Sequence, residues 1–217
     1  MRFSFQVTGL TPLLLHNDDV DWADLLTVWR KDPKNRNLSK PGDDRSPPWT
    51  WQTYLYRDGT HVCLPGDNLW TCFRDASTSI SMKGMKSFKE SAAAGIYIEQ
   101  DFLPVLVGQD KRKVLLSDIE AIREKSFNDQ MAAVKDLGFE LFSKRARVGT
   151  SKHIRVRPRF SSWTLEGTVL VTADELTLEV LRSIGDIAGR YKGVGDGRPS
   201  AKKPWPYGKF QIDFQAA

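Results

Sequence analysis

The sequence predicts an α+β fold with one antiparallel sheet, and three observations carry that prediction. Alternating apolar segments stand at both ends of the chain, two amphipathic helical stretches lie between them, and a basic alternating segment leads into a further strand. Phe3, Phe5 and Val7 alternate with Arg2, Ser4, Gln6 and Thr8, so about 2–9 reads as a first strand that ends at Gly9. From Asp18 to Arg30, capping residues precede Val20, Leu25, Leu26, Val28 and Trp29 at helical spacing. The polar stretch from Lys31 to Pro48, punctuated by proline and glycine, predicts a mobile loop. Trp51 to Tyr56 and Thr60 to Leu64 flank Asp58-Gly59, the signature of a tight hairpin. Pro65-Gly66-Asp67 opens a helix through about Ala76, with Asp67 as N-cap and Leu69, Trp70 and Phe73 facing inward.

Lys83, Lys86 and Lys89 recur at spacing three, so in a helix they would share a face. Gly95 to Val107 reads as short strands, Lys111-Arg112-Lys113 as a basic turn and Ser117 to Lys125 as a capped helix. Lys152 to Phe160 and Trp163 to Val171 are expected to pair through Ser161-Ser162, with Pro158 marking an edge. Leu176, Leu178, Val180, Leu181, Ile184, Ile187 and Ala188 give Asp174 to Tyr191 the clearest helical stripe, and Lys209 to Phe214 closes with a strand. The resulting order, βαββαβ, is a ferredoxin-like (RRM-like) core in one domain. Its strands are expected near 2–9, 152–160, 163–171 and 209–214, with two long insertions, about 17–64 and 77–143.

At 217 residues and a net charge of +5, the chain suits a well-packed domain with an anionic partner. Cys63 and Cys72 are its only cysteines, which excludes a disulfide scaffold and points to a reducing compartment. No apolar run approaches membrane-spanning length, and a cytosolic protein is expected.

The charge is concentrated. Lys144, Arg145, Arg147, Lys152, Arg155, Arg157 and Arg159 fall in one stretch without an acid, and its last three arginines alternate with Ile154, Val156 and Phe160. Arginines at spacing two on a strand share a face and suit a line of phosphates. Gly193, Gly195 and Gly197 follow the last helix, with Arg198, Lys202, Lys203, Trp205 and Tyr207 completing the loop. Glycines let backbone amides approach phosphate, although this loop follows its helix and so is not a dinucleotide fingerprint. Trp205 and Tyr207, with Trp49, Trp51 and Trp163, are candidate stacking surfaces for unpaired bases, Trp49 and Trp205 being favoured by their loop positions. His16, His61 and His153 have no partner at metal-ligand spacing, so no metal site or cofactor is expected. His153 is the candidate general base if the protein is a metal-free nuclease. Asp18, Asp19 and Asp21 stand where a helix dipole favours acids.

Leu64-Pro65-Gly66-Asp67-Asn68-Leu69, continuing to Arg74, is similar to the entry into the first helix of the RAMP superfamily, which includes backbone subunits of CRISPR effector complexes. Gly193 to Phe210 resembles their C-terminal glycine-rich loop. The opening Val7-Thr8-Gly9-Leu10-Thr11-Pro12-Leu13-Leu14 and the run from Gly195 to Phe210 are also similar to proteins of bacteriophage and prophage genomes. The resemblance implies binding along a single strand of RNA or DNA with subunits side by side. Together with the basic strand and glycine loop it leads to the expectation of a non-enzymatic, sequence-independent binder of single-stranded DNA, with RNA second. It would be phage-encoded, act in the host cytoplasm and assemble side by side as a homo-oligomer or filament on the strand. Lys83, Lys86, Lys89 and His153 join the basic segment and glycine loop in the expected contact set. The alternatives are a metal-free endoribonuclease, or a mimic of a CRISPR subunit that inhibits or joins a host ribonucleoprotein.

Overall fold

A computed structural model describes residues 1–148 and 150–216, with only the backbone of Val148 included. In chain order the elements are β1 (Arg2–Gly9), β2 (Leu13–Leu14), α1 (Val20–Lys31), β3 (Tyr56–Arg57), β4 (Val62–Pro65), α2 (Gly66–Ser77), α3 (Lys89–Gly95) and β5 (Ile96–Ile98). Then come β6 (Phe102–Pro104), β7 (Leu106–Val107), β8 (Arg112–Lys113), α4 (Leu116–Glu120), α5 (Phe127–Asp136), β9 (Glu140–Val148), β10 (Ser151–Phe160), β11 (Thr164–Val171), α6 (Leu178–Ile187) and β12 (Phe210–Ala216). The fold is mixed α+β, and its strand ladders are antiparallel.

In the largest sheet β1 lies between β11 and β12, and β5 pairs with the far side of β11. Phe3, Phe5 and Val7 point to one face of β1, opposite Val169, Gly167 and Leu165 of β11 and Ala216, Phe214 and Ile212 of β12. Helices α2 and α6 cover that face. Phe73 of α2 meets Phe214 with ring centroids 6.2 Å apart, and a Cβ on Gly185 of α6 would come within 2.6 Å of Ile212. The aromatic side chains of Phe73, Trp163 and Phe210 are almost fully buried, each contributing roughly 2–3 kcal/mol by exclusion from water. Thr177 caps α6, accepting from the Val180 amide, and the helix ends in a wide turn, Ala188–Lys192.

The basic segment does not pair with β11. Instead β10 forms a long hairpin with β9, running from Arg159 opposite Glu140 to Ser151 opposite Val148, and β2 adds to its base. The reason lies at the Ser161-Ser162 bend. Trp163 is buried there, accepting the Gly9 amide on its carbonyl and donating its indole N–H to the Thr11 carbonyl. That anchor sends the chain into a different sheet, and the place beside β11 expected for 152–160 is shared by β5 and β7.

Four local expectations are also corrected. Residues Thr50–Tyr54 make a tight helical turn rather than a strand, because Trp51 turns into the core and donates its indole N–H to Gln130 Oε1 at 2.6 Å. Only Tyr56–Arg57 remains to pair with β4 across Asp58-Gly59. Asp67 lies in the first turn of α2 rather than at its cap, which is Pro65. No helix spans Lys83 and Lys86; Met82 and Met85 bridge around Gly84, and Lys89 starts α3 separately. The polar stretch before Pro48 is pinned, since its Asp44 is buried at 2% exposure.

Candidate nucleic-acid interface

Antiparallel register decides which side chains share a face. Glu140, Phe142 and Lys144 stand directly across from Arg159, Arg157 and Arg155, so the three arginines lie in a row as their spacing predicts. They are not open forks. Arg155 Nη1 lies 3.1 Å from Asp44 Oδ1, Arg157 Nη1 contacts Asp196 Oδ2, and Arg159 Nε donates to Glu140 Oε1 at 2.8 Å. The segment lacks acids in sequence, but three parts of the chain outside it supply one carboxylate to each guanidinium, Glu140 from the neighbouring strand and Asp44 and Asp196 from farther away. Arg159 in turn holds the Glu140 carboxyl below its ordinary pKa by hydrogen bonding.

The glycine loop meets the same side of the hairpin. Its amides are mostly committed: those of Gly193, Val194 and Asp196 donate to the carbonyls of Ala188, Gly208 and Leu14. Gly208, at φ 65°, is required because a Cβ there would stand 1.8 Å from the Val194 oxygen. The glycines let the loop close tightly on itself and on β2, with the Gly193 amide committed inside the loop. Of the loop, Asp196, Gly197, Lys203, Trp205 and Tyr207 line the shared face.

Between hairpin and loop runs a groove of about 530 Å³. Lys144, Arg145, Arg147, Arg155, Arg157 and Lys203 line it, against one carboxylate, Asp196. Among the described residues, Arg145 and Lys203 have no carboxylate partner, and neither do Lys152 and Lys202 beyond the groove. A comparable concavity of about 490 Å³ on the open face of the largest sheet is lined, among the described residues, by the carboxylates of Glu166 and Asp213, the first paired with Lys111 at 2.7 Å. Sign of charge thus separates the two, and a polyanion is favoured only in the first.

One wall of the groove is a stack of rings. Trp205 and Tyr207 lie nearly parallel, 9° apart with centroids at 5.9 Å, and Tyr207 meets Phe142 edge-on at 6.1 Å. Cations close both ends: Lys144 Nζ sits 2.7 Å from the Trp205 ring centre, and the Arg159 guanidinium lies 4.4 Å over Phe142. A base reaches the Trp205 face only by displacing the Lys144 ammonium. The rings hold these cations in place.

The other expected residues divide. Arg198 Nη1 donates to the Gly195 carbonyl and borders a separate cleft with Asp67 and Asp75, outside the groove. Lys83, Lys86 and Lys89 are exposed but line none of it. Trp49, Trp51 and Trp163 are buried, so they are core rather than stacking surfaces. Trp49 packs edge-on to Trp22, and the Arg123 guanidinium lies 5.0 Å from its ring. His153 Nδ1 is buried against Gly42 without a partner.

Sequence reasoning missed His16. Its ring sits edge-on to Tyr54, centroids 4.8 Å apart, and its pKa is lowered, first by ring desolvation and then by Arg157. No spacing rule links residues 16 and 157. Both cysteines are unpaired and buried, and burial pushes each thiol up to about 12. Among the described residues no group of histidines, cysteines and carboxylates is arranged to hold a metal ion, and no helix is long and apolar enough to cross a membrane.

Searched against protein-family models and against curated proteins, the sequence matches none.

Proposed function

We propose that this protein binds single-stranded nucleic acid without sequence preference, DNA ahead of RNA, in the groove between the β9–β10 hairpin and the 193–208 loop. The observation that carries the reading is the excess of six cationic residues over one carboxylate along that groove. Phosphates engage Lys144, Arg145 and Lys203 first, because the three arginines of the row already hold carboxylates. Lys144 rests on Trp205 and on binding exchanges the ring contact for a phosphate. Rings beneath it become available to bases once the ammonium has moved onto a phosphate. A sheet path of β12, β1 and β11, with β5 pairing on β11 beside β7 and two helices on one face, supports the ferredoxin-like reading; a RAMP-like, phage-encoded protein of the host cytoplasm that assembles side by side on the strand rests on the sequence resemblance.

Titration of labelled single-stranded DNA, single-stranded RNA and duplex at several salt concentrations tests this. Single strands are expected to bind tightest, with affinity falling linearly in log salt as phosphates exchange counterions for protein. A preference for duplex, or binding indifferent to salt, overturns it.

One observation favours a second reading, metal-free RNA cleavage, and it moves the candidate base from His153 to His16. Partial burial, and then the Arg157 charge, lower the His16 pKa, which sets a proton acceptor beside a cation able to stabilise a phosphate. Incubation of labelled RNA with chelator and wild type, His16→Ala or His153→Ala decides it. Cleavage lost only in His16→Ala supports this reading, and no cleavage by wild type removes it.

A further inference from the structure

Asp196 is the one carboxylate lining the groove, and it occupies the guanidinium of Arg157. Its placement is built into the backbone. The Asp196 amide donates to the Leu14 carbonyl at 2.8 Å, Gly195 before it is buried at φ 74°, and a Cβ on Gly195 would stand 2.7 Å from the Leu14 oxygen. The loop backbone is therefore fixed against β2, and the carboxylate is held on the arginine row. Asp44 and Glu140, the other two acids of the row, do not line the groove. Asp44 is buried beneath the hairpin, and Glu140 stands at the hairpin's base, where Ser161 also donates to it.

We infer that Asp196 is an internal stand-in for phosphate, a residue that limits how tightly the groove holds a polyanion and keeps Arg157 in position while the groove is empty. The inference rests on the nucleic-acid reading above and names how that site is regulated. A carboxylate and a phosphate oxygen present the same acceptor to a guanidinium fork, so a strand reaching Arg157 has to displace one anion with another. The exchange makes every contact at Arg157 weaker than an open arginine would give. It also makes binding readily reversible, which suits a protein that must leave a strand that is to be copied or paired. Gradations among ligands follow as well. A ligand with closely spaced phosphates can displace the carboxylate, while an isolated monoanion has little advantage over it.

The test is Asp196→Asn, which keeps the side-chain shape and removes the charge, measured beside wild type with labelled single-stranded DNA over a salt series. Removing the carboxylate frees Arg157 from a competing anion and raises the groove's effective charge by one, so affinity at low salt is expected to rise roughly five- to tenfold and the salt slope to steepen by about 0.7. Glu179→Gln, exposed in the first turn of α6 and outside the groove, is expected to change affinity by no more than about twofold. Thermal melting of each variant reports on folding. If wild type binds and Asp196→Asn, melting as wild type does, binds no tighter, the inference fails and the nucleic-acid reading stands. Should Asp196→Asn melt early, Asp196→Ser supplies the same comparison. Binding by neither wild type nor variant overturns both.

Discussion

Asp44 Oδ1 accepts from Arg155 Nη1 at 3.1 Å, joining residues 111 positions apart. The same carboxylate takes the Tyr54 hydroxyl at 2.9 Å and the Val156 amide at 3.1 Å through its other oxygen. Three donors from two segments thus close on one buried acid, and this tie docks the first insertion on the basic hairpin. Removing it leaves a guanidinium, a phenol and an amide without their acceptor. Asp44→Ala is expected to cost about 3 kcal/mol, read as a lower urea midpoint, with Asp44→Asn losing part of that.

Tyr54 carries the pH dependence of the same tie. Burial first, and then the Asp44 charge, push its phenol up to about 12. The folded protein thus favours the neutral phenol more than the unfolded chain does. Stability from this group is complete below pH 10 and is lost as pH rises from there toward 12. Ultraviolet titration should show Tyr54 ionising late, with Tyr56 also raised by burial, and Tyr54→Phe should reduce the late step by one tyrosine.

Arg145 and Lys203 line the groove without carboxylate partners, so their charge is available to a ligand and adds little to folding. The double variant Arg145→Glu, Lys203→Glu is expected to lose at least tenfold in affinity for single-stranded DNA at low salt and to flatten the salt slope by about 1.4. Its melting temperature should match wild type. Unchanged binding with an intact fold would place the interface elsewhere.

Gln130 is fully buried and has each polar atom satisfied. Its oxygen accepts from Trp51, and its nitrogen donates to the Arg123 and Lys125 carbonyls at 2.9 Å. Gln130→Leu leaves an indole N–H and two carbonyls unpaired within the core, a loss of about 2 kcal/mol measurable by denaturant unfolding. Groove binding should survive, because α5 lies outside it.

Periodicity made the largest sheet readable. Phe3, Phe5 and Val7 face the core as their alternation predicts, and the stripe on α6 packs as its spacing requires. Register was less accessible: Lys152 to Phe160 is a strand, but no local signal distinguishes pairing with Glu140–Val148 from pairing with Thr164–Val171. The same limit hid the state of the arginines. Asp44, Glu140 and Asp196 come from outside the basic segment, and only tertiary contacts reveal that they neutralise it. Trp49 misled because its proline-rich neighbours mark a loop, whereas its ring is buried against Trp22.

Trp205 is the most exposed of the seven tryptophans, and it alone has an ammonium group seated on its ring. A ligand that draws Lys144 away alters the electric field across that indole and leaves the six others undisturbed. The protein consequently carries an intrinsic optical probe at the mouth of its groove, and occupancy can be followed by emission without attaching a dye.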